Sequence, residues 1–295
     1  MLAGMILIDA PAWPAHGTVW GHVVSDASLE ELHAFARRTG LPARGFDHDH
    51  YDYPLSRRDD LVAAGASLVP STDLVRRLIR AGLRVRPAQK TPSRPVAADR
   101  ARAAWSAVLP GRETLREELI GRWSEEHRRY HDLRHLSSCL AALGSLGCTD
   151  RLVHLAVWFH DAVYAGVPGA DEEASAVLAE ERLTGVLPPE EVGEVARLVR
   201  LTASHAPAAG DERGATLVDA DLSILGALPG RYHVYTRDVR LEYAHVPDAD
   251  FVAGRARVLR HLLALEPLYR TRTGTHLWAA RARTNMAAEL AGLTG

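Results

Sequence analysis

Leu152-Val153-His154-Leu155-Ala156-Val157-Trp158-Phe159-His160-Asp161 is the stretch that decides how this chain is read. Its first eight residues are apolar except for His154, so a helix built from them is hydrophobic on nearly every face and belongs inside a bundle. The run closes on an adjacent imidazole and carboxylate. A carboxylate buried there without a partner costs several kcal/mol, so the pair is expected to meet compensating groups or to hold a metal ion.

Outward from this run, the pattern from Asp99 onward is almost wholly helical. The periodicity predicts helices near 99–108, 113–127, 132–146, 150–163, 171–184, 189–203, 215–227, 231–245, 249–265 and 275–291. Thr149 and Asp248 are the expected N-caps, and Pro188-Pro189 suits a first helical turn. Residues 5–86 read differently. Met5-Ile6-Leu7-Ile8 is expected as a buried strand and 28–38 as a helix through Leu29, Leu32 and Phe35, stopped at Gly40. A second strand is expected over 66–70, and a second helix over 72–81 ending at Gly82. Pro87 to Pro95 contains three prolines and no periodicity, as a linker would. The expected organisation is a small α/β domain over 1–86, a Pro-rich linker over 87–98 and an all-α domain over 99–295. The fold class is mainly α, a helical bundle preceded by a small α/β domain.

The formal net charge of −2 gives no overall field that favours nucleic acid or an anionic membrane. With no zinc knuckle and no basic helix, direct nucleic-acid binding is not expected. The basic residues are almost all arginine, Lys90 being the one lysine, which reads as coding bias. Cys139 and Cys148 lack a CxxC spacing and read as small buried hydrophobes in a reducing compartment. The apolar run from Met5 ends at Asp9, too short for a signal peptide or a membrane span, so a cytoplasmic protein is expected. No P-loop, Rossmann glycine pattern or nucleophile elbow is present, which leaves kinase, dehydrogenase and serine-hydrolase chemistry without support.

The residues that bear chemistry are spread over three predicted helices. In Tyr130-His131-Asp132-Leu133-Arg134-His135 the two histidines are four apart and share a face if both are helical. In Leu217-Val218-Asp219-Ala220-Asp221-Leu222, Asp221 is in phase with Leu217, Leu225 and Leu228 and so points to the core, whereas Asp219 is in phase with Thr216, Ser223 and Gly226. A core-facing carboxylate needs compensation, which makes Asp221 the preferred ligand and Asp219 the reserve. His135, His160, Asp161 and Asp221 together form a mixed nitrogen and oxygen set. It suits Mn²⁺, Fe²⁺, Co²⁺, Ni²⁺, Zn²⁺ or Mg²⁺ with water in the remaining positions.

The order His135, His160-Asp161, Asp221 resembles the HD superfamily of metal-dependent phosphohydrolases, whose ligands run H…HD…D on a helical bundle. The segment 130–135 is similar to the Tyr-His-Asn-x-x-His segment of cyclic-nucleotide phosphodiesterases, with Asp132 in place of their asparagine. Ala220-Asp221-Leu222-Ser223 looks like their Ala-Asp-Leu-Ser segment. Trp158 to Tyr164, followed by Asp171-Glu172-Glu173-Ala174-Ser175-Ala176, resembles a bacterial group of predicted HD phosphohydrolases. The resemblance covers residues 100–292 and implies an HD-type bundle that hydrolyses a phosphate ester of a small metabolite or nucleotide through metal-activated water. It also implies that His131 is the general acid and that Asp161 bridges to a second ion where one is bound. Cyclic-nucleotide specificity is not implied, because the glutamine that reads the base there has no counterpart. His205 is the candidate additional ligand. A di-iron oxygenase of the same fold, or a nucleotide-binding sensor without turnover, are the alternatives.

Other polar residues carry two readings each. Glu172 and Glu173 suit either a helix N-terminus or contact with metal-bound water, and Arg134 suits either a phosphate or the surface. Arg240, Glu242, Tyr243 and Arg255 suit either a substrate pocket or helix packing. In the front domain, Phe46-Asp47-His48-Asp49-His50-Tyr51-Asp52-Tyr53-Pro54 alternates Asp and His, which suits a metal or a turn-rich loop. Asp9, His22 and Asp26 are candidates for the same cleft. Residues 5–11 together with Asp49-His50-Tyr51-Asp52 resemble a small bacterial domain of unknown function that occurs ahead of HD domains.

Overall fold

The chain divides into two compact units, one of Met1–Lys90 with Leu228–Val234, the other of Thr91–Ala227 with Tyr235–Gly295. The structure, a computed structural model, describes residues 4–167 and 169–294. It is mainly helical, with a small sheet in the first unit. Among the described residues no helix is long and apolar enough to cross a membrane.

The sheet of the first unit contains β1 (Ile6–Ile8), β2 (Trp13–Ala15), β3 (Thr18–Ser25), β4 (Tyr51–Pro54) and β5 (Ser67–Leu68). The buried run of β1 is antiparallel to β3, with Ile8 opposite Val23, and parallel to β5. β2 and β4 are both antiparallel to β3. Three helices accompany the sheet: α1 (Leu29–Thr39), α2 (Arg58–Ala63) and α3 (Ser71–Arg80). The Ser28 side chain accepts the Glu31 N–H to start α1, and Gly40 ends it at φ 69°, a conformation only glycine adopts without strain. Leu7, Ile8, Val23, Val24, Leu32, Phe35, Tyr53, Leu61 and Leu78 form the core.

Two strands fall where none was expected, β3 in a stretch given no element and β4 within the turn-rich Asp/His run. In β3, Thr18, Val19, Val23 and Val24 favour the pleated sheet, but Gly21 and His22 interrupt the alternation that would have announced it. In β4, Tyr51 and Tyr53 are buried while Asp52 and Pro54 are not, so a period of two was present inside what resembled a turn-rich run.

The second unit comprises α4 (Arg94–Trp105), α5 (Glu113–Trp123), α6 (Leu133–Leu146), α7 (Arg151–Phe159), α8 (Ala170–Leu183), α9 (Pro189–Leu201), α10 (Glu212–Asp221), α12 (Asp248–Ala264) and α13 (Arg272–Thr294), with the later part of α11 (Pro229–Glu242). Helix α7 packs against α6, α8, α9 and α10. Every residue of α7 but Arg151 and His154 is buried. Trp105, Trp123 and Trp158 are fully buried, with the Trp105 and Trp158 rings edge to face at 4.8 Å. The Trp123 indole N–H donates to the Trp158 carbonyl at 2.9 Å.

Several boundaries differ from expectation. Helix α7 stops at Phe159 rather than 163, which leaves His160 as its C-cap. Its N-cap is Asp150, whose carboxylate accepts the Leu152 N–H, and not Thr149. Pro247 precedes α12, so Asp248 is the first helical residue there. The segment read as a linker over 87–98 holds a short 3-10 turn at Pro87–Gln89 and the start of α4. Pro95 falls in the first turn of α4, where proline starts a helix, and Ala97 and Ala98 join the bundle core. Leu228–Val234 groups with the first unit rather than with the bundle.

Stability of the first unit should depend on acid through His33. Its Nδ1 is hydrogen-bonded with the Tyr51 hydroxyl at 2.8 Å, its ring stacks on His233 at 4.1 Å, and its Nε2 is buried without a partner. Burial first, then the charges of His233 and Arg37, push its pKa from 6.5 down to about 4. The unfolded chain therefore takes up this proton near pH 6.5 and the folded chain only near 4. The stabilisation is complete above 6.5 and declines as pH falls from there to 4. Thermal unfolding followed at pH 7 and pH 4.5 should show a larger drop in Tm for the wild type than for His33→Gln; equal drops would refute this.

Candidate metal centre

Three helix ends supply the predicted ligands. Asp132 is the N-cap of α6, accepting the Arg134 N–H at 2.8 Å, which sets His135 in the first turn. His160 caps α7 and Asp161 follows it, while Asp221 is the last residue of α10. All four side chains come together. The His135 and His160 Nε2 atoms are 3.1 Å apart. Asp221 Oδ1 lies 3.1 Å from His135 Nε2 and 3.7 Å from His160 Nε2, and Asp161 Oδ2 lies 3.6 and 3.3 Å from the same atoms.

The chemistry of this donor set fits a divalent cation. His160 Nδ1 is 2.8 Å from the Val157 carbonyl, which can only accept, so Nδ1 is the donor there and Nε2 is the nitrogen left to face the cluster. His135, His160 and Asp221, with Cys139, each bring one ligand atom within 4.8 Å of the others, a set able to hold a cation, and Asp161 Oδ2 lies beside the two imidazoles. Burial works to raise the Asp221 pKa, but hydrogen bonds from His135 and His205 and the charges of His160 and His205 hold it well below the usual carboxylate range. Cys139, read from sequence as an inert hydrophobe, belongs to the same cluster, with Sγ 3.6 Å from His135 Nε2. His205 Nε2 donates to Asp221 Oδ2 at 2.8 Å, at the edge of the set.

Asp219, the reserve ligand, is used elsewhere. Its fully buried carboxylate accepts the Arg270 and Thr271 N–H groups at 2.7 and 2.8 Å and the Thr271 hydroxyl at 2.6 Å, which anchors the turn before α13. Burial runs against the helical phase: Asp219, expected on the more polar face, is fully buried, whereas Asp221, expected to point to the core, keeps part of its side chain exposed beside His135 and His160.

His131 precedes α6 instead of sharing its helix, yet its ring centroid is 5.5 Å from that of His135. Its Nδ1 donates to Glu242 Oε1 at 2.5 Å, and it stacks on Tyr164 at 4.5 Å. Burial opposes protonation of His131, but the Glu242 hydrogen bond and the charges of Asp161, Glu242 and Asp221 prevail and raise its pKa. Arg128, fully buried, donates to the carbonyls of His131 at 2.9 Å and Asp161 at 2.7 Å, so one guanidinium ties the His131 segment to the His160-Asp161 turn. Arg134 pairs with Asp132 and Asp238, which engages the group considered for phosphate. Glu172 accepts the Gly169 N–H, and Glu173 pairs with Arg200, so both serve the start of α8. Asp171 closes the preceding loop by accepting the N–H groups of Ala165, Gly166 and Val167.

Residues 6–81 match the family model of a protein of unknown function (DUF4031), and the match lies entirely within the first unit. No curated protein and no solved structure matches the chain.

The two carboxylates of α10 should respond oppositely to removal. Asp219→Ala strands three donors and should cost at least about 2 kcal/mol in urea unfolding, with metal binding retained. Asp221→Ala should lose about one equivalent of bound Zn²⁺ in calorimetric titration of chelator-stripped protein. The reverse pattern would transfer the ligand role to Asp219.

Proposed function

We propose that the second unit is a metal-dependent phosphohydrolase of the HD superfamily, working in the cytoplasm on a phosphate ester of a small metabolite or nucleotide. The convergence of His135, His160, Asp161 and Asp221 beside the His131–Glu242 pair carries this reading. Those four side chains would hold the ion, with Mn²⁺, Fe²⁺, Co²⁺, Ni²⁺, Zn²⁺ and Mg²⁺ as the ions to test. Bound there, a divalent cation supplies Lewis acidity, bringing the pKa of a water toward neutrality and offsetting charge on a phosphoryl oxygen.

The protein's own groups then account for the proton. Glu242 engages His131 through Nδ1 and fixes the ring, which leaves Nε2 as the nitrogen able to protonate a leaving oxygen. Arg128 keeps the backbone of His131 and Asp161 in a constant relation, and orientation of this kind is a large part of what an active site contributes. Tyr164 stacks on the imidazole and donates its hydroxyl to Glu242 at 2.8 Å, which keeps the carboxylate ionised and in place.

A phosphate-release screen across nucleotides and sugar phosphates, run with each metal, tests the proposal. His131→Ala should lower kcat by about 10² to 10⁴ with the metal content unchanged. His160→Ala should remove both the ion and the activity. Turnover that survives both substitutions would end the hydrolase reading.

A further inference from the structure

The geometry points to a separate divalent-metal site in the first unit, formed by His22 Nε2, His50 Nε2 and the Asp52 carboxylate, with open coordination positions toward the neighbouring cleft. His22 on β3 and Asp52 on β4 are direct cross-strand partners, and His50 is two residues before Asp52. The pairing therefore sets His22 and Asp52 on one face, with His50 immediately ahead of β4, while Tyr51 and Tyr53 turn into the core. One ligand atom from each of the three lies within 4.8 Å of the others.

The back of each imidazole is already taken by its own buried acid. His22 Nδ1 donates to Asp9 Oδ2 at 3.0 Å, and Asp9 is itself fixed by the Ser71 hydroxyl at 2.9 Å and the His22 N–H at 2.6 Å. His50 Nδ1 donates to Asp49 Oδ1 at 2.6 Å, and fully buried Asp49 also accepts the Val85 N–H at 2.7 Å and Arg84 at 3.0 Å. A carboxylate behind Nδ1 selects the tautomer with a bare Nε2 and aims that lone pair, an arrangement common behind metal-ligating histidines. Here it occurs twice, and both Nε2 atoms face one oxygen, Asp52 Oδ1, at 4.0 and 3.4 Å. Each ring already has its own buried acid, so Asp52, 45% exposed, is a third carboxylate that faces both.

The location agrees with where α/β sheets place ligands. Asp9 directly follows β1 and Ser71 opens α3 shortly after the parallel strand β5, so the site lies at the carboxyl ends of two parallel strands. His22 and His50 line a cleft of about 340 Å³ whose wall also includes Trp13, Trp20, Arg84 and Lys90. Two imidazoles and one carboxylate suit a first-row divalent ion that keeps water or a small anionic ligand in its remaining positions.

Zn²⁺ titration of the chelator-stripped full chain, with stoichiometry checked by elemental analysis, tests the assignment without reference to catalysis. His22→Ala and His50→Ala should each bind one Zn²⁺ equivalent fewer than the wild type. His160→Ala should lose a different equivalent and retain this one, so the two sites are distinguished. Asp9→Asn, which removes only the buttress behind His22, should weaken this site about 10- to 100-fold. Asp52→Asn changes a half-exposed side chain and serves where a histidine variant unfolds; it too should weaken binding at this site. Unchanged stoichiometry and affinity in His22→Ala, His50→Ala or Asp52→Asn protein that is folded by circular dichroism would overturn the proposal.

Discussion

Charge buried in an apolar bundle must be compensated on the spot, and that requirement organises the second unit. Helix α7 is too hydrophobic to lie anywhere but the interior, so His160, which ends it, is carried inside with it, and Asp161 follows partly buried. Their partners cannot come from α7. They come from the first turn of α6 and the last residue of α10, which are the neighbours packed against it. Asp221, surrounded by imidazoles, stays ionised in a place where an isolated carboxyl would take up a proton. Fully buried Arg128 meets the same requirement by spending its N–H groups on backbone carbonyls at the turn, stacked over Trp123 and Tyr164.

The two units aim imidazoles by related means. In the bundle the group behind His160 is a backbone carbonyl, Val157, available because the helix has just ended and its last carbonyls have no intrahelical donor. In the sheet the groups behind His22 and His50 are carboxylates, Asp9 and Asp49, held by a hydroxyl and backbone N–H groups. A carboxylate makes the ring more basic than a carbonyl does, so the two sites should differ in their preference between proton and metal even with similar ligand types.

The sequence disclosed most where local periodicity and burial agree. The apolar run before His160 announced a central helix, but the phase of Asp221 with Leu217 and Leu225 did not make it the more buried carboxylate, because Asp219 is buried completely where it anchors Arg270 and Thr271. It disclosed less where a partner is remote in the chain. Glu242 is more than a hundred positions from His131, and no local pattern marks it out from Arg240 or Tyr243. Nothing local marks Arg128 in its charged stretch, because the carbonyls it serves are freed only where α7 stops. In the first unit, the alternation of Tyr51 and Tyr53 with His50 and Asp52 was hidden by residue types that also make turns.

Glu242 shows how much one remote residue can settle. Its Oε2 accepts the N–H groups of three successive residues, Arg129, Tyr130 and His131, at 2.8, 3.0 and 3.1 Å, and its Oε1 receives His131 Nδ1 and the Tyr164 hydroxyl. Five donors on one buried carboxylate outweigh the burial that opposes its charge, and its pKa falls far below the ordinary glutamate value. The same geometry raises the Tyr164 pKa, burial first and then the Glu242 charge, so that hydroxyl stays protonated and remains a donor. The same carboxylate, with the charges of Asp161 and Asp221, raises the His131 pKa against the burial that opposes it. A loop of three residues is shaped, and the His131 ring fixed, by a carboxylate at the end of α11.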